Sequence, residues 1–134
     1  TYFDSLTKVE SPDVRVGMIT LDFHNRDNLY KRVDMRVDQM MEEGLLEEVK
    51  SLDKMGLRET PTASQAIGYK EFFPYLDGEC TLEESVEKLK QHTRNYAKRQ
   101  TTYFGHMTKL ISVSADENGG DTAKRIYEQW LKTL

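Results

Sequence analysis

The stretch TLEESVEKLKQHTRNYAKRQTTYF, residues 81–104, decides how this chain is read. Thr81 followed three residues later by Glu84 is the signature of a capping box, in which a hydroxyl and a carboxylate each satisfy a backbone N–H at a helix start. Leu82, Val86, Leu89, Thr93, Ala97 and Phe104 then recur at helical spacing and predict one long helix over about Leu82–Phe104. Lys90, Arg94 and Lys98 stand at i, i+4 and i+8 and form a row, flanked by Lys88, His92 and Arg99. Like charges so spaced repel by ~0.2–0.5 kcal/mol per pair. From Lys88 to Ala115 there are six Lys and Arg and no Asp or Glu, whereas the rest of the chain sets 13 bases against 23 acids. A basic island in a chain of net charge −4 points to a local anionic partner. Lys98-Arg99-Gln100-Thr101-Thr102-Tyr103-Phe104 adds amide, hydroxyl and aromatic groups to the cations, the combination RNA recognition uses. The alternative is a solvated face whose counter-charges come from another helix.

Upstream of the long helix, residues 1–13 read as an irregular lead-in. Val14–Phe23 is apolar on both faces, as in a strand inside an α/β layer. Asn25 or Asp27 can cap a helix with Leu29, Val33, Val37, Met40 and Met41 on one stripe, and Met35, Met40 and Met41 read as packing residues. Gly44 punctuates it. Leu45, Leu46, Val49 and Leu52 form a second stripe that Gly56 stops. Thr62 and Gln65 suggest a capping box for a third helix, apolar at Ala66, Tyr69, Phe72, Phe73 and Leu76, ending at the Asp77-Gly78 turn. Downstream, Lys109–Ser114 is a short strand, and Asp121 caps a last helix with Ala123, Ile126, Tyr127, Trp130, Leu131 and Leu134 on one side. The order is strand, four helices, strand, helix: mostly α with two short strands. Two strands alone make a poor sheet, so other strands are expected outside this chain, upstream of Thr1.

At 134 residues the chain suits one domain. With Tyr left out and Gly counted in, its apolar share is roughly 38%, against ~45–50% in most soluble domains. Charged residues reach 31%. The core is therefore small, or part of it lies elsewhere. No stretch approaches the ~18 apolar residues of a membrane helix, and the N-terminus lacks the features of a signal peptide. The missing initiator Met fits a processed chain, an excised domain or a fragment. The single Cys80 excludes an internal disulfide and a multi-cysteine zinc site, and makes a reducing, cytoplasmic compartment the default.

Two further segments bear groups for chemistry. In Gln65-Ala66-Ile67-Gly68-Tyr69-Lys70-Glu71 a glycine inside a helix costs ~1 kcal/mol relative to Ala; close helix packing or close approach of a ligand would each explain it. Arg32 and Arg36 lie one turn apart, with Asp34 and Asp38 nearby, and read either as surface ion pairs or as a fork for an anionic ligand. His24, His92 and His106 lack metal-ligand spacing and receive no role. The chain contains no GxxxxGK[ST] phosphate loop and no GxSxG nucleophile motif.

Gln65–Glu71, followed by Thr93-Arg94-Asn95-Tyr96-Ala97-Lys98-Arg99-Gln100 and preceded by Leu29-Tyr30-Lys31-Arg32-Val33-Asp34-Met35-Arg36-Val37-Asp38 with Gly44-Leu45, resembles the tRNA dimethylallyltransferase family. The three blocks span roughly residues 14–105 and match the C-terminal part of that family's core, without its P-loop segment. The resemblance implies a piece of an α/β P-loop-type fold. It also implies an enzyme transferring the dimethylallyl group of dimethylallyl diphosphate to the exocyclic amine of an adenosine beside the tRNA anticodon, the base being flipped out for reaction. It implies ATP and nucleotide binding through the P-loop, and Mg²⁺ held mainly by parts of the enzyme not in this chain. Carried over by position, Arg36 is the catalytic arginine on the diphosphate. Gln65, Ala66, Ile67, Gly68, Tyr69 and Lys70 form one tRNA-binding segment. Arg94, Lys98, Arg99, Gln100, Thr101, Thr102 and Tyr103 form another, on the anticodon stem-loop. Lys90, Arg94, Lys98 and Arg99 are then expected to be largely exposed on one side of the long helix, with Gln65 and Lys70 near its C-terminal half.

The family usually continues Arg-Gln-x-Thr-Trp-Phe-Arg. Here Tyr103 keeps a ring of smaller area, and Gly105 lacks the cation. One cysteine leaves no room for the zinc finger of eukaryotic members, so the bacterial type is implied. By itself this chain is expected to be inactive. The rivals are a non-enzymatic helical RNA-binding module and a protein-interaction domain with an acidic partner.

Overall fold

The computed structural model describes residues 18–107, 110–115 and 119–133. The chain divides into two compact units, a helical one over Phe23–His106 and another built from residues on either side of it.

The helical unit begins with α1, Arg26–Glu42, capped by Asn25, whose side chain accepts from the Asp27 N–H at 2.9 Å. Gly44, at φ 99°, turns the chain into α2, Leu45–Lys54. Gly56, at φ 90°, ends it, as expected of a left-handed C′ residue. The long helix α4, Leu82–Gly105, has both halves of its capping box: Glu84 N–H to Thr81 Oγ1 at 3.2 Å and Thr81 N–H to Glu84 Oε2 at 2.8 Å. Val37, Leu45, Val49, Phe72 and Leu89 form the core, with Met40, Met41, Leu46, Tyr69, Phe73, Leu76, Leu82 and Val86 packed around it. Met35 is a correction, since it is exposed. It lies two positions from both Val33 and Val37, so a helix turns it away from the stripe they share.

The third helix is the larger correction. Residues 57–72 form three short 3₁₀ turns, Leu57–Glu59, Ala63–Gln65 and Lys70–Phe72, and only α3, Phe73–Leu76, is α-helical. Thr62 makes no side-chain cap. Gly68 sits at φ 105°, which right-handed helix cannot contain, and the break falls where the periodicity suggested a continuous stripe. The apolar residues still point inward, because Phe72 is fully buried and Tyr69, Phe73 and Leu76 flank it.

In the other unit β1, Met18–Asp22, and β2, Leu110–Ser114, pair in parallel, with Met18 opposite Leu110 and Asp22 opposite Ser114. The Ala115 N–H extends the ladder to the Asp22 carbonyl at 2.8 Å. Residues 14–17 and Lys109 of the expected strands lie outside the described residues. Helix α5, Gly119–Thr133, packs on β2, burying Val113 and Thr122. Asp121 falls in its first turn, not at its cap. Tyr127 and Trp130 of the expected apolar stripe are exposed, as are Met18 and Leu21 of β1.

Candidate nucleic-acid interface

The cationic row on α4 divides in two. Its first half faces α1. Lys90 Nζ meets Asp38 Oδ1 at 2.6 Å. Arg94 Nη1 donates to both oxygens of Asp34 at 2.9 Å, and its Nη2 donates to Glu87 Oε1 at 2.6 Å. The Glu87 bond, followed by the Asp34 charge, raises the Arg94 guanidinium above its ordinary value. The expected exposure of Lys90 and Arg94 is therefore corrected, for their side chains are only 18% and 24% exposed. The counter-charges come from Asp34 and Asp38, on a helix more than 50 residues earlier in the chain, and from Glu87 on α4 itself.

The second half has no such screen. Every residue from Lys98 through Met107 is exposed. Among the described residues no carboxylate reaches ion-pair distance of Lys98 or Arg99. The Arg99 guanidinium lies 5.9 Å from the centre of the Tyr96 ring, an exposed aromatic that the sequence reading left without a role. The rings of Tyr103 and Phe104 meet edge to face at 5.3 Å. Thr101 and Thr102 donate back to the carbonyls of Ala97 and Lys98, and Gln100 is exposed. Cations, amide and flat rings thus share the last two turns of one helix, whose N-terminal half alone contributes to the core.

Gln65 and Ile67 are exposed, Ala66, Tyr69 and Lys70 half-buried, and Gly68 buried. The Tyr69 hydroxyl donates to Glu48 Oε1 at 2.5 Å, and this bond, helped by burial, raises the phenol above its usual value. Glu71 ties the turn down. Its side chain is fully buried, with Oε2 accepting the Gly68 N–H at 2.8 Å and Oε1 2.6 Å from His92 Nδ1 on α4. The Lys70–Phe72 turn thus docks near the middle of α4, not along its C-terminal half as expected. His92, assigned nothing from sequence, is its anchor.

Arg36 projects from α1 with 60% of its side chain exposed, 3.8 Å from Glu43 Oε2. Neither Asp34 nor Asp38 occupies it, since both turn to α4. Arg32 is exposed. Among the described residues no three His, Cys, Asp or Glu side chains converge on a metal-sized site, so no Mg²⁺ ligands are assigned to them. No helix among them is long and apolar enough to cross a membrane.

The profile of the IPP transferase family matches residues 2–107. The chain belongs to the IPP transferase family. Over 109 residues it is 49% identical to the tRNA dimethylallyltransferase of Lactobacillus johnsonii, an alignment covering 80% of this chain and 35% of that protein. The family member thus spans about a third of the length of the curated relatives it matches. Its structure is similar to the crystal structure of the tRNA isopentenylpyrophosphate transferase of Bacillus halodurans. The TM-score is 0.81 and the identity 39%, over 98% of this chain and 43% of that one. A eukaryotic dimethylallyltransferase described as acting on tRNA matches with a TM-score of 0.64 and 31% identity, over 81% of this chain and 31% of its own. The mostly helical architecture with two short strands, expected from the periodicity, is shared with these structures over the matched part, which agrees with the fold the resemblance implied.

Proposed function

We propose that this chain provides the tRNA-facing and diphosphate-facing part of a tRNA dimethylallyltransferase, whose RNA substrate is the anticodon stem-loop and whose donor is dimethylallyl diphosphate. In the reaction the exocyclic amine of the target adenosine forms a C–N bond to the allylic carbon. The C–O bond to diphosphate breaks, diphosphate departs with its electron pair, and the amine proton passes to a base. No described residue is assigned as that base. Arg36 suits the leaving group, since a planar guanidinium offers paired donors to phosphate oxygens as their charge grows. Lys98–Tyr103 and Gln65–Lys70 are the RNA-contacting segments. Arg94 belongs with them through its neighbours, its own guanidinium being engaged by Asp34 and Glu87. A compartment holding tRNA, the cytoplasm, follows from this role.

The observation that carries the reading is the unscreened end of α4, with Lys98 and Arg99 exposed beside Tyr96 and Tyr103, in a member of the IPP transferase family. The test is tRNA binding by the full-length enzyme containing this chain, across a salt titration. Lys98→Ala together with Arg99→Ala should weaken binding and flatten the slope of log Kd against log salt by about 1–2, as each lost phosphate contact removes ~0.7–0.9. Unchanged affinity and slope would move the RNA site elsewhere.

A further inference from the structure

A carboxylate buried as completely as Glu71 loses its hydration, a cost of several kcal/mol unless hydrogen bonds replace the water. Here they come from two places. The Gly68 N–H belongs to the turn itself and is presented by the left-handed glycine. The other partner, His92, is 21 residues away on the face of α4 beside Leu89. The first bond shapes the turn, and the second fastens it to the helix whose far end carries Lys98 and Arg99. The turn itself is built of separate 3₁₀ pieces, and a segment without a continuous helical ladder holds its position by what it is tied to. Tyr69 makes a second tie, to Glu48 on α2, but through an exposed carboxylate.

We propose that Glu71 and His92 are positioning residues, which pin the Gln65–Lys70 turn to the middle of α4 so that the turn and the end of the helix meet one RNA at a fixed spacing. The proposal rests on the tRNA-binding reading above. Neither side chain touches the RNA or the reacting atoms; they act through Gln65, Lys70 and the backbone at Gly68. Loss of the tie lets the turn wander, and ordering it again on the RNA subtracts from the binding free energy.

The experiment is steady-state kinetics of the full-length enzyme with tRNA and dimethylallyl diphosphate each varied. His92→Ala should fold, because His92 is a third exposed and Glu71 keeps its bond to Gly68. It should raise the KM for tRNA about tenfold, leave kcat within about twofold and leave the KM for dimethylallyl diphosphate unchanged. Glu71→Gln should retain most of the affinity, since the amide oxygen can accept from Gly68 while its NH₂ faces the His92 ring nitrogen. An unchanged tRNA KM in His92→Ala overturns the proposal, as does an equal change in all three constants. Lys98→Ala with Arg99→Ala serves as the control. If that pair raises the tRNA KM and His92→Ala does not, the positioning role fails and the RNA-binding reading stands. If neither does, the RNA-binding reading itself fails.

Discussion

At Arg36 a guanidinium stands on a helix with both neighbouring aspartates turned away and, among the described residues, only a long 3.8 Å contact to Glu43. A group so placed is available to an anion. If it meets the diphosphate chiefly as that group departs, Arg36→Ala should lower kcat on the order of 10–100-fold while tRNA affinity changes little. Arg36→Lys should restore only part of the rate, because a point charge does not reproduce the fork. Steady-state kinetics with both substrates varied measure this, and normal turnover with a weaker tRNA KM would place Arg36 on the RNA side. Arg58 does structural work. It reaches both oxygens of Asp77 at 2.8 Å, bonds Asp53 at 2.7 Å, and lies 4.7 Å from the centre of the Phe73 ring. Its bond holds the Asp77 carboxyl below the ordinary carboxylate value. The unfolded chain therefore binds the proton more readily. The stabilisation is complete above about pH 4 and is lost as pH falls through the lower folded-state value. Urea midpoints of the parent and Asp77→Asn should differ at pH 6 and converge as pH drops below about 4.

At the level of elements, α4 was readable because its cap, stripe and length all repeat signals local to one segment. The Gln65–Glu71 segment was not. Its apolar residues fall at helical spacing, and only the sign of one backbone angle, at Gly68, separates a helix from a string of turns. The two structures make opposite predictions for Gly68→Ala. In a helix it would stabilise by ~1 kcal/mol. At φ 105°, with no atom within 4 Å to clash with a new Cβ, it should destabilise through backbone strain alone, by about 1–2 kcal/mol in urea denaturation. The anchors of the site were equally hidden. Glu71 to His92 spans 21 residues and Asp34 to Arg94 spans 60, so no local pattern could pair them. The family blocks mark the segments proposed to meet RNA, and the fold determines which of their side chains are already engaged.

Across the whole molecule the low apolar content finds its explanation. The core cluster is drawn from the helical unit, whereas in the strand unit Met18, Leu21, Tyr127 and Trp130 are exposed beside the buried Val113 and Thr122. The charge is divided as unevenly as the apolar surface. Asp34 and Asp38 sit one turn apart on α1 and would repel if left alone, but each is matched to a cation of α4. Their effect reaches beyond cohesion. If the row meets RNA as proposed, engaging its first two cations would restrict grip on polyanions to a short stretch at one end and act as a filter against the wrong RNA. Asp34→Asn with Asp38→Asn should unmask Lys90, leave Arg94 to Glu87 alone, and strengthen binding of an unrelated single strand such as polyuridylate several-fold, with a steeper salt slope, while the anticodon stem-loop gains less. Competition between the two RNAs would read the change directly, as a loss of selectivity produced by adding attraction.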